Sequence, residues 1–352
     1  MSFDSILKNM NKAAKDDPHA KVHKSGDITL GSKIPYGILS GIPRLDLSIG
    51  KPGIPAGRVI EFFGFEMSGK TTAALHTLAQ AQLMGGGGIY IDAEYSWDED
   101  RAADIGVDPN KNFAVVEVET IEGIFRQLEA SITGLQESDF DKPFVIIVDS
   151  ITGVTTEHEK GKEFGSEARV GQDARVIRHG MRKIMPDLAK SNACVIFINH
   201  AVAKIAASPY AKQSDSSGGH AIKFFSTLRC EFRNSGQIKE GELRAGQKIN
   251  IRIEKLKKSR LDKPDIKDVS LLVDTGFDLT TELLKATIQA GWVKRPNTKT
   301  YAIEYPEETQ FPKVDWPGIV QGYGGPQKVY KFLMDWSLEN DIIKPWSSEG
   351  YE

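Results

Sequence analysis

An early segment of the 352-residue chain has the residue types and spacing that suit binding of phosphate groups. It contains two glycines five positions apart, followed by a lysine and a threonine, and it reads Gly64-Phe65-Glu66-Met67-Ser68-Gly69-Lys70-Thr71. A β-branched and aromatic stretch precedes the segment and apolar residues at helical spacing follow it, which is the order of strand, loop and helix that this motif requires. Backbone N–H groups of such a loop bind phosphate, Lys70 reaches the β- and γ-phosphates, and the Thr71 hydroxyl can ligate Mg²⁺. We therefore predict a nucleoside triphosphate site made by this loop and Thr72.

Two carboxylates at predicted strand ends could complete the chemistry of that site. Asp149 ends an apolar run and is expected beside the Mg²⁺ ion, a role that we favour over that of a turn-forming residue because a phosphate loop precedes it. Glu94 follows another predicted strand, where it could position or deprotonate a water molecule. From the residues alone, a solvated glutamate is an equal alternative at that position.

Composition narrows the class of protein. A formal net charge of −3 excludes a chain that is basic overall, so any contact with nucleic acid requires local basic patches. Cys194 and Cys230 lie in apolar runs without the spacing of metal ligands, and we predict buried thiols in a reducing cytoplasm. No apolar stretch approaches membrane-spanning length and the N-terminus lacks the regions of a signal peptide, so we expect no membrane association and a cytoplasmic protein.

Apolar strands alternate with helical stretches between Gly37 and about Asp274. The predicted strands are Val59 to Phe63, Gly88 to Asp92, Phe113 to Val118, Phe144 to Asp149, Cys194 to Asn199, Thr227 to Phe232, Ile249 to Glu254 and Val269 to Val273. The predicted helices between them are Thr71 to Met84, Glu99 to Ile105, Ile121 to Leu135 and Gly171 to Lys190. This alternation predicts an α/β fold with a mainly parallel, twisted sheet flanked by helices, and ligands at the carboxyl ends of the strands. Isoleucines alternate with polar residues in 249–254, which predicts a strand with one wet face near an edge of the sheet.

Three parts are expected along the chain. Residues 1–33 form a short amphipathic helix and a linker, and the helix docks either on another protomer or on its own domain, which the residues alone leave equally open. Residues 34–275 form the core. Residues 276–352 form a small α+β C-terminal domain, with helices at Leu279 to Ala290 and Gln327 to Glu339 around an aromatic and proline-rich stretch from Tyr301 to Tyr323.

Basic residues cluster on the predicted nucleotide side of the sheet. Arg175, Arg178 and Arg182 share one face of a helix, Arg169 precedes it and Lys183 lies alongside. Such a face is usually only solvated, but its position after a glycine-bearing loop (161–171) favours contact with nucleic acid. A long loop rich in small residues (201–217), expected to become ordered on binding, carries further candidates. They are Lys204, Tyr210 and Lys212, with Gly218 and Gly219 at the end of the loop.

The order of these motifs resembles that of bacterial RecA recombinases over roughly Gly37 to Asp274. The matching segments are 64–71, 91–94, 104–108, 148–150, 181–183, 196–199, 218–219 with 221–224, and 238–242. The tail after Thr275 does not resemble the bacterial tail. Its segments Leu283-Leu284 and Gly291-Trp292-Val293-Lys294 are similar to phage recombinases of the UvsX type.

The resemblance implies roles in the nucleotide site. It makes Glu94 the catalytic carboxylate that activates water and places Asp98 and Arg101 at the adenine, with Arg101 where bacterial RecA has an aromatic residue. A guanidinium plane can stack on a base as a ring can. His200 stands where bacterial RecA has a glutamine that links the γ-phosphate to a DNA-binding loop, and a purely structural histidine is the alternative.

The resemblance also implies contacts with DNA and with a neighbouring subunit. The implied DNA-binding residues are Arg169, Val170, Gly171, Arg175, Arg182, Lys204, Ile205, Tyr210, Lys212, Gly218, Gly219 and Lys223. Among them Val170 and Ile205 occupy positions that insert between base triplets in the family. The basic run 255–260 is typical of a general nucleic-acid patch, but in the family Lys255 and Lys257 reach the γ-phosphate held by the next subunit.

These implications together predict a RecA-like P-loop ATPase core and a DNA strand-exchange protein. ATP and Mg²⁺ would hold a helical homo-oligomeric filament on single-stranded DNA, which tests a homologous duplex while hydrolysis releases DNA. Single-strand-binding and loader proteins are further candidate partners. A RecA-fold hexameric helicase is the first alternative, although it normally has an extra N-terminal domain and an arginine finger. A metabolite kinase without a DNA role is the second.

Overall fold

The computed structural model describes residues 3–15, 34–162, 171–203, 214–216, 220–257, 265–297, 299–303 and 309–346. Its elements up to the end of the parallel strands are α1 (Phe3–Lys15), β1 (Gly37–Ile38), α2 (Pro43–Ile49), β2 (Ile54–Pro55), β3 (Val59–Gly64), α3 (Lys70–Leu83), β4 (Gly87–Asp92), α4 (Glu99–Ile105), β5 (Phe113–Glu117), α5 (Ile121–Glu137), β6 (Phe144–Asp149), α6 (Glu157–Lys160), α7 (Gln172–Leu188) and β7 (Ala193–Ala203). The elements that follow are β8 (Ser214–Ser216), α8 (His220–Phe225), β9 (Leu228–Glu240), β10 (Leu243–Leu256), β11 (Asp265–Leu272), β12 (Gly276–Phe277), α9 (Leu279–Ala290), β13 (Val293–Lys294), β14 (Thr300–Ile303), β15 (Thr309–Pro312), α10 (Trp316–Gly322) and α11 (Pro326–Glu339).

Side-chain caps explain where several helices begin. Thr120 accepts a hydrogen bond from the Gly123 N–H at 3.1 Å at the start of α5, and Asp278 accepts one from Thr281 N–H at 3.0 Å at the start of α9. Each cap satisfies a backbone donor that the helix itself leaves unpaired. The predicted helices at Glu99 to Ile105 and Leu279 to Ala290 coincide with α4 and α9.

One mixed sheet lies at the centre of the molecule. Its strand order is β12-β11-β10-β9-β3-β7-β6-β4-β5, and β8 pairs with β7. The strands from β9 to β5 in that order run parallel, whereas β9 to β12 run antiparallel. The predicted α/β class is confirmed. The sequence did not reveal that β9 and β10 form one long hairpin, and β10, predicted near an edge, lies two strands inside the β12 edge.

Each face of the sheet has its own apolar cluster. On one face Phe62 and Ile147 pack with Leu78 of α3, and on the other Phe197 packs with α5 and α7. These last two helices cross closely at Gly180, where a Cβ atom would lie 2.3 Å from the Phe125 ring. The helices on both faces therefore fix the strands whose carboxyl ends carry the predicted site.

The C-terminal region has a third apolar cluster, which also includes Leu47 of α2. It contains a three-stranded sheet, β13-β14-β15, and the last two strands lie almost entirely in the aromatic and proline-rich stretch, where no strand was predicted. These strands are short and are stabilised by aromatic packing between distant residues. Tyr301 stacks on Phe311, and Phe311 stacks on Trp316, with ring centroids 5.8 and 5.9 Å apart. A domain boundary at 275/276 stays a prediction, because apolar contacts continue from this region to α2.

Two predictions from composition concern burial and membranes. Cys194 and Cys230 are free and buried, and burial raises the pKa of both thiols. Within the described ranges, no helix combines the length and the apolar character needed to cross a membrane.

Candidate functional site

The phosphate loop connects β3 to α3 at the middle of the sheet. Gly69 has a φ angle of 87°, in the left-handed region that favours glycine. At Gly64 a Cβ atom would lie 2.2 Å from the Phe232 carbonyl oxygen on β9, so the strand packing itself demands glycine. Both glycines of the motif are therefore required by backbone geometry, which forms a cradle that a side chain would fill.

Polar groups inside this loop are arranged for an anion. The Lys70 ammonium donates to the Phe65 carbonyl at 2.8 Å, and burial lowers the pKa of Lys70 although nearby carboxylates oppose that effect. The buried Ser68 hydroxyl has no hydrogen-bond partner among the described residues. A phosphate group would give both side chains a charged partner, and the start of α3 adds a favourable dipole.

Asp149 and Thr71 meet beside the loop. Thr71 Oγ1 and the Tyr90 hydroxyl each donate to Asp149 Oδ2 at 2.7 Å. Burial raises the pKa of Asp149, while the two hydrogen bonds act against that increase. Hydroxyl and carboxylate oxygens suit Mg²⁺, which normally keeps waters and phosphate oxygens as further ligands. A Mg²⁺ site shared with phosphate therefore fits this pair.

Glu94 lies at the end of β4, where three side chains converge. Glu94 Oε1 accepts a hydrogen bond from Ser150 Oγ and lies 2.9 Å from His200 Nε2. Burial raises the pKa of Glu94, but the hydrogen bonds from Ser150 and His200 outweigh burial and leave the pKa below its ordinary value. The carboxylate is therefore ionised at neutral pH, as a general base must be.

Asp98 and Arg101 lie together at the start of α4. Asp98 caps the helix by accepting the Arg101 N–H at 2.9 Å. The Arg101 guanidinium donates to the carbonyl oxygens of Val273 and Asp274, at 2.5 and 2.9 Å, just after β11. The arginine thus joins α4 to the segment between β11 and β12, and its contact with the base stays a prediction.

The structure describes four of the predicted DNA-binding residues: Gly171, Arg175, Arg182 and Lys223. The other eight, Arg169, Val170, Lys204, Ile205, Tyr210, Lys212, Gly218 and Gly219, lie outside the described residues. Arg175, Arg178 and Arg182 are exposed on α7 as the spacing predicted. Arg178 and Arg182 border a cleft of about 310 Å³ whose other walls come from α8.

Lys255 lies near the end of β10, and Lys257 directly follows that strand. The Lys255 ammonium donates to the carbonyl oxygens of Lys223 and Phe224, the second at 3.0 Å. The Lys257 ammonium donates to the Phe224 carbonyl at 3.1 Å. Both lysines therefore bind the last turn of α8.

Sequence reasoning missed several residues that shape the site. Ser150 directly follows Asp149, and Tyr90 lies in β4, the strand that precedes Glu94, so both positions could have indicated a contact. Gln247 could not be found this way, because its side chain donates at 2.7 Å to the carbonyl of Met67, 180 positions away. The phosphate loop after β3 and the acidic ends of β4 and β6 define the class of P-loop nucleotide-binding proteins.

Comparison with known proteins identifies the family within that class. A family model described as the RecA N-terminal domain matches residues 6–277. Protein RecA of Aquifex pyrophilus is 34% identical over 292 residues, which cover 78% of this chain and 79% of that protein. Protein RecA of Macrococcus caseolyticus is 31% identical over 329 residues, with 87% of each chain covered. Protein RecA of Brucella anthropi is 31% identical over 296 residues, covering 84% and 77%. The chain belongs to the RecA family.

Family membership confirms the predicted function at the level of the family. The protein is a RecA-type recombinase, and proteins of this family are in general DNA-dependent ATPases that use ATP and Mg²⁺ and bind DNA. These matches do not bear on the similarity of the tail to UvsX-type recombinases, which stays a prediction.

Proposed function

We propose that the protein forms a helical filament on single-stranded DNA, and that this filament searches a duplex for homology and exchanges strands while ATP is hydrolysed to ADP and phosphate. The contact that carries the proposal is that between Glu94 and His200, 2.9 Å long. It joins the carboxylate beside the phosphate loop to β7, the strand that continues into the predicted DNA-binding loop 201–217. Nucleotide and DNA would thereby influence each other's binding.

The side chains around the loop have distinct proposed tasks. Backbone N–H groups of 64–71 and the Lys70 ammonium bind the β- and γ-phosphates, and Asp98 and Arg101 contact the adenine. Thr71 and Asp149 would hold Mg²⁺, which when bound offsets the negative charge of the phosphates. Glu94 orients a water molecule and accepts its proton, while Ser150 and His200 hold the carboxylate in place.

DNA binding is assigned to one side of the ATPase core. The exposed arginines of α7 would neutralise backbone phosphates, which carry no sequence information. Sequence would then be read by base pairing between the bound strand and the duplex. The cleft between α7 and α8 supports this assignment, because it brings Arg178 and Arg182 next to α8, the helix that follows the second predicted loop in the sequence.

Assembly is proposed to complete each nucleotide site from the next protomer. Ile6 and Met10 of α1 are each about half exposed, as expected of a helix that docks on another subunit. Lys255 and Lys257 would reach the neighbour's γ-phosphate and act there as an arginine finger acts in a GTPase. Head-to-tail contacts of this kind build open helical filaments. Single-strand-binding and loader proteins of the cytoplasm are proposed to regulate assembly.

One assay distinguishes the proposed function from its alternatives. The protein is incubated with ATP, Mg²⁺, a circular single strand and a homologous linear duplex, and in parallel with a forked duplex. We expect joint molecules that require homology, and no unwinding of the fork. Unwinding without joint molecules would instead identify a helicase, and phosphotransfer to a small molecule without DNA would identify a kinase.

A further inference from the structure

A buried row of polar side chains crosses the sheet between the nucleotide site and Lys255. At its centre is Glu61 on β3, whose side chain is 0% exposed. Glu61 Oε1 accepts a hydrogen bond from Asn199 Nδ2 at 2.9 Å, and Glu61 Oε2 accepts one from Arg229 Nε on β9. Both carboxylate oxygens are thus engaged, and the Arg229 guanidinium also lies 4.6 Å from the centre of the Phe63 ring.

Strand register places three charged residues of this row side by side. Glu61 is opposite Arg229 in the parallel pair of β3 and β9, and Arg229 is opposite Lys255 in the antiparallel pair of β9 and β10. The main chains of Glu61 and Lys255 are therefore roughly 10 Å apart, two strand spacings. Glutamate and lysine side chains are long enough to close that distance. Arg229 lies between them and already occupies the carboxylate.

Among the described residues, the hydrogen-bond partners of Lys255 carry no formal negative charge. Its ammonium donates to the main-chain carbonyls of Lys223 and Phe224 at the end of α8. Burial, followed by the charges of Lys257 and Arg229, lowers the pKa of Lys255 to about 8, while Glu61 acts in the opposite direction. An ammonium held by neutral carbonyl groups can move to a phosphate without the separation of an ion pair, which a lysine bound to a buried carboxylate could not do.

We propose that Arg229 is a positioning residue for Lys255. By occupying Glu61 and repelling the ammonium, Arg229 keeps Lys255 on the carbonyl groups of α8, from which the lysine passes to the γ-phosphate of a neighbouring protomer. This inference rests on the proposed role of Lys255 in a filament. Because the row begins at Asn199, next to His200, it also connects the protomer's own nucleotide site to the lysine that it presents to its neighbour.

The first test measures DNA-stimulated ATP hydrolysis by Arg229→Gln. This variant should lose most of its hydrolysis, because Glu61 then captures Lys255. Mixed in equal amounts with Lys70→Ala, it should regain activity, since about one interface in four then combines an intact loop with an intact lysine. A misfolded variant would give no such recovery, and Arg229→Gln with the wild-type rate would overturn the proposal.

A double variant separates positioning from folding. Glu61→Gln/Arg229→Gln has no carboxylate to capture Lys255, and neutral replacement of a buried ion pair is often tolerated. We expect it to hydrolyse ATP at least several times faster than Arg229→Gln under identical conditions. If the double variant folds and is as inactive as the single variant, Arg229 does not act through Glu61 and the proposal fails.

A second test needs neither nucleotide nor DNA. Competitive acetylation of lysines at a series of pH values, with peptide mass spectrometry, gives the titration midpoint of each amine, and exposed Lys183 serves as an internal control. The Lys255 midpoint should rise in Arg229→Gln and rise less in the double variant. If Arg229→Gln does not fold, the Lys255 midpoint of the double variant is compared with that of the wild type instead. An unchanged Lys255 midpoint in the folded variants overturns the proposal.

These outcomes are separable from failure of the proposed function. If the wild-type protein forms no joint molecules, the proposed function is wrong, while the acetylation result still shows whether Arg229 controls the position of Lys255. A wild-type protein that exchanges strands, together with an Arg229→Gln variant that hydrolyses ATP normally, removes only the positioning role.

Discussion

The phosphate site and the seam between core and C-terminal region are both polar, yet their polar side chains have different kinds of partner. We define the seam by Arg44, Asp46 and His76 of the core with Phe277, Glu282 and Tyr330. In the phosphate site Lys70 rests on a carbonyl oxygen of its own loop, a contact that a ligand can replace. Across the seam, polar groups more than 200 positions apart hydrogen-bond to one another: the Arg44 and Tyr330 side chains donate to Glu282 and Asp46, and the Phe277 N–H donates to the His76 ring.

Burial explains what the difference means. Glu282 is 0% exposed, and the Arg44 guanidinium donates to both of its oxygens, at 2.6 and 3.0 Å. Asp46 is also 0% exposed and accepts hydrogen bonds from the Tyr330 hydroxyl and the Ser40 N–H. An unpaired buried charge is costly, so the seam must stay closed, whereas the phosphate site must open its contacts for each nucleotide. Substitutions in the phosphate site should therefore change nucleotide binding and hydrolysis, whereas substitutions in the seam should change the stability of the fold.

The largest effect is expected for Lys70→Ala. Because the loop then lacks its only lysine, nucleotide binding should fall below detection in a titration with a fluorescent ATP analogue. Thermal unfolding without nucleotide should remain close to that of the wild type, since Lys70 contributes no contact to the seam. ATP affinity equal to that of the wild type would show that the phosphate site lies elsewhere.

Glu94→Gln should leave the binding of ATP and DNA unchanged and slow ATP hydrolysis. The amide keeps the size of the carboxylate but cannot accept a proton, so we expect a fall in kcat of about 10²- to 10⁴-fold. Filter binding of ATP and single-stranded DNA should match the wild type. Ser150→Ala is the matched control and should reduce kcat much less, because it removes one hydrogen bond and leaves the base. Normal turnover by Glu94→Gln would assign the base to another residue.

Asp46→Asn tests the seam through pH. Burial raises the pKa of Asp46 to about 7, although hydrogen bonds from Tyr330 and Ser40 lower it. Because the folded-state pKa lies above that of the unfolded chain, the stabilising contribution of protonated Asp46 is present at low pH and is lost as pH rises towards 7. Between pH 5 and pH 8 the wild type should lose roughly 3 kcal/mol relative to Asp46→Asn.

Tryptophan fluorescence can measure that loss in urea unfolding, because four of the five tryptophans, Trp292, Trp316, Trp336 and Trp346, lie in the C-terminal region. ATP affinity should be the same in both proteins at each pH. If the two proteins have parallel stability curves, Asp46 is not protonated in the folded state. A change in ATP affinity instead would show that the seam and the phosphate site are coupled.

The same contrast accounts for what could be predicted from the sequence. The arrangement of the candidate phosphate site could be predicted because Lys70 follows the glycine loop, Glu94 follows β4 and Asp149 ends β6, and parallel strands bring their carboxyl ends together. The seam could not be predicted, because no pattern in the sequence near Asp46 indicates a contact with Tyr330. The long hairpin of β9 and β10 was missed for a related reason: its outer half is exposed and carries no apolar alternation. Local patterns predict elements, while buried polar pairs depend on how distant elements meet.

The smallest effect is expected for His200→Gln, and it tests the link between the phosphate site and the DNA-binding segment. A glutamine amide can donate to Glu94 as the imidazole does, so kcat with single-stranded DNA should fall only a few-fold, equivalent to about 1 kcal/mol or less. His200→Ala removes the donor and should cost more, with a weaker response to DNA. Comparing DNA-stimulated with basal hydrolysis in the two variants separates orientation of Glu94 from chemistry by His200. If His200→Gln is as slow as Glu94→Gln, the imidazole itself takes part in proton transfer and Glu94 is only its partner.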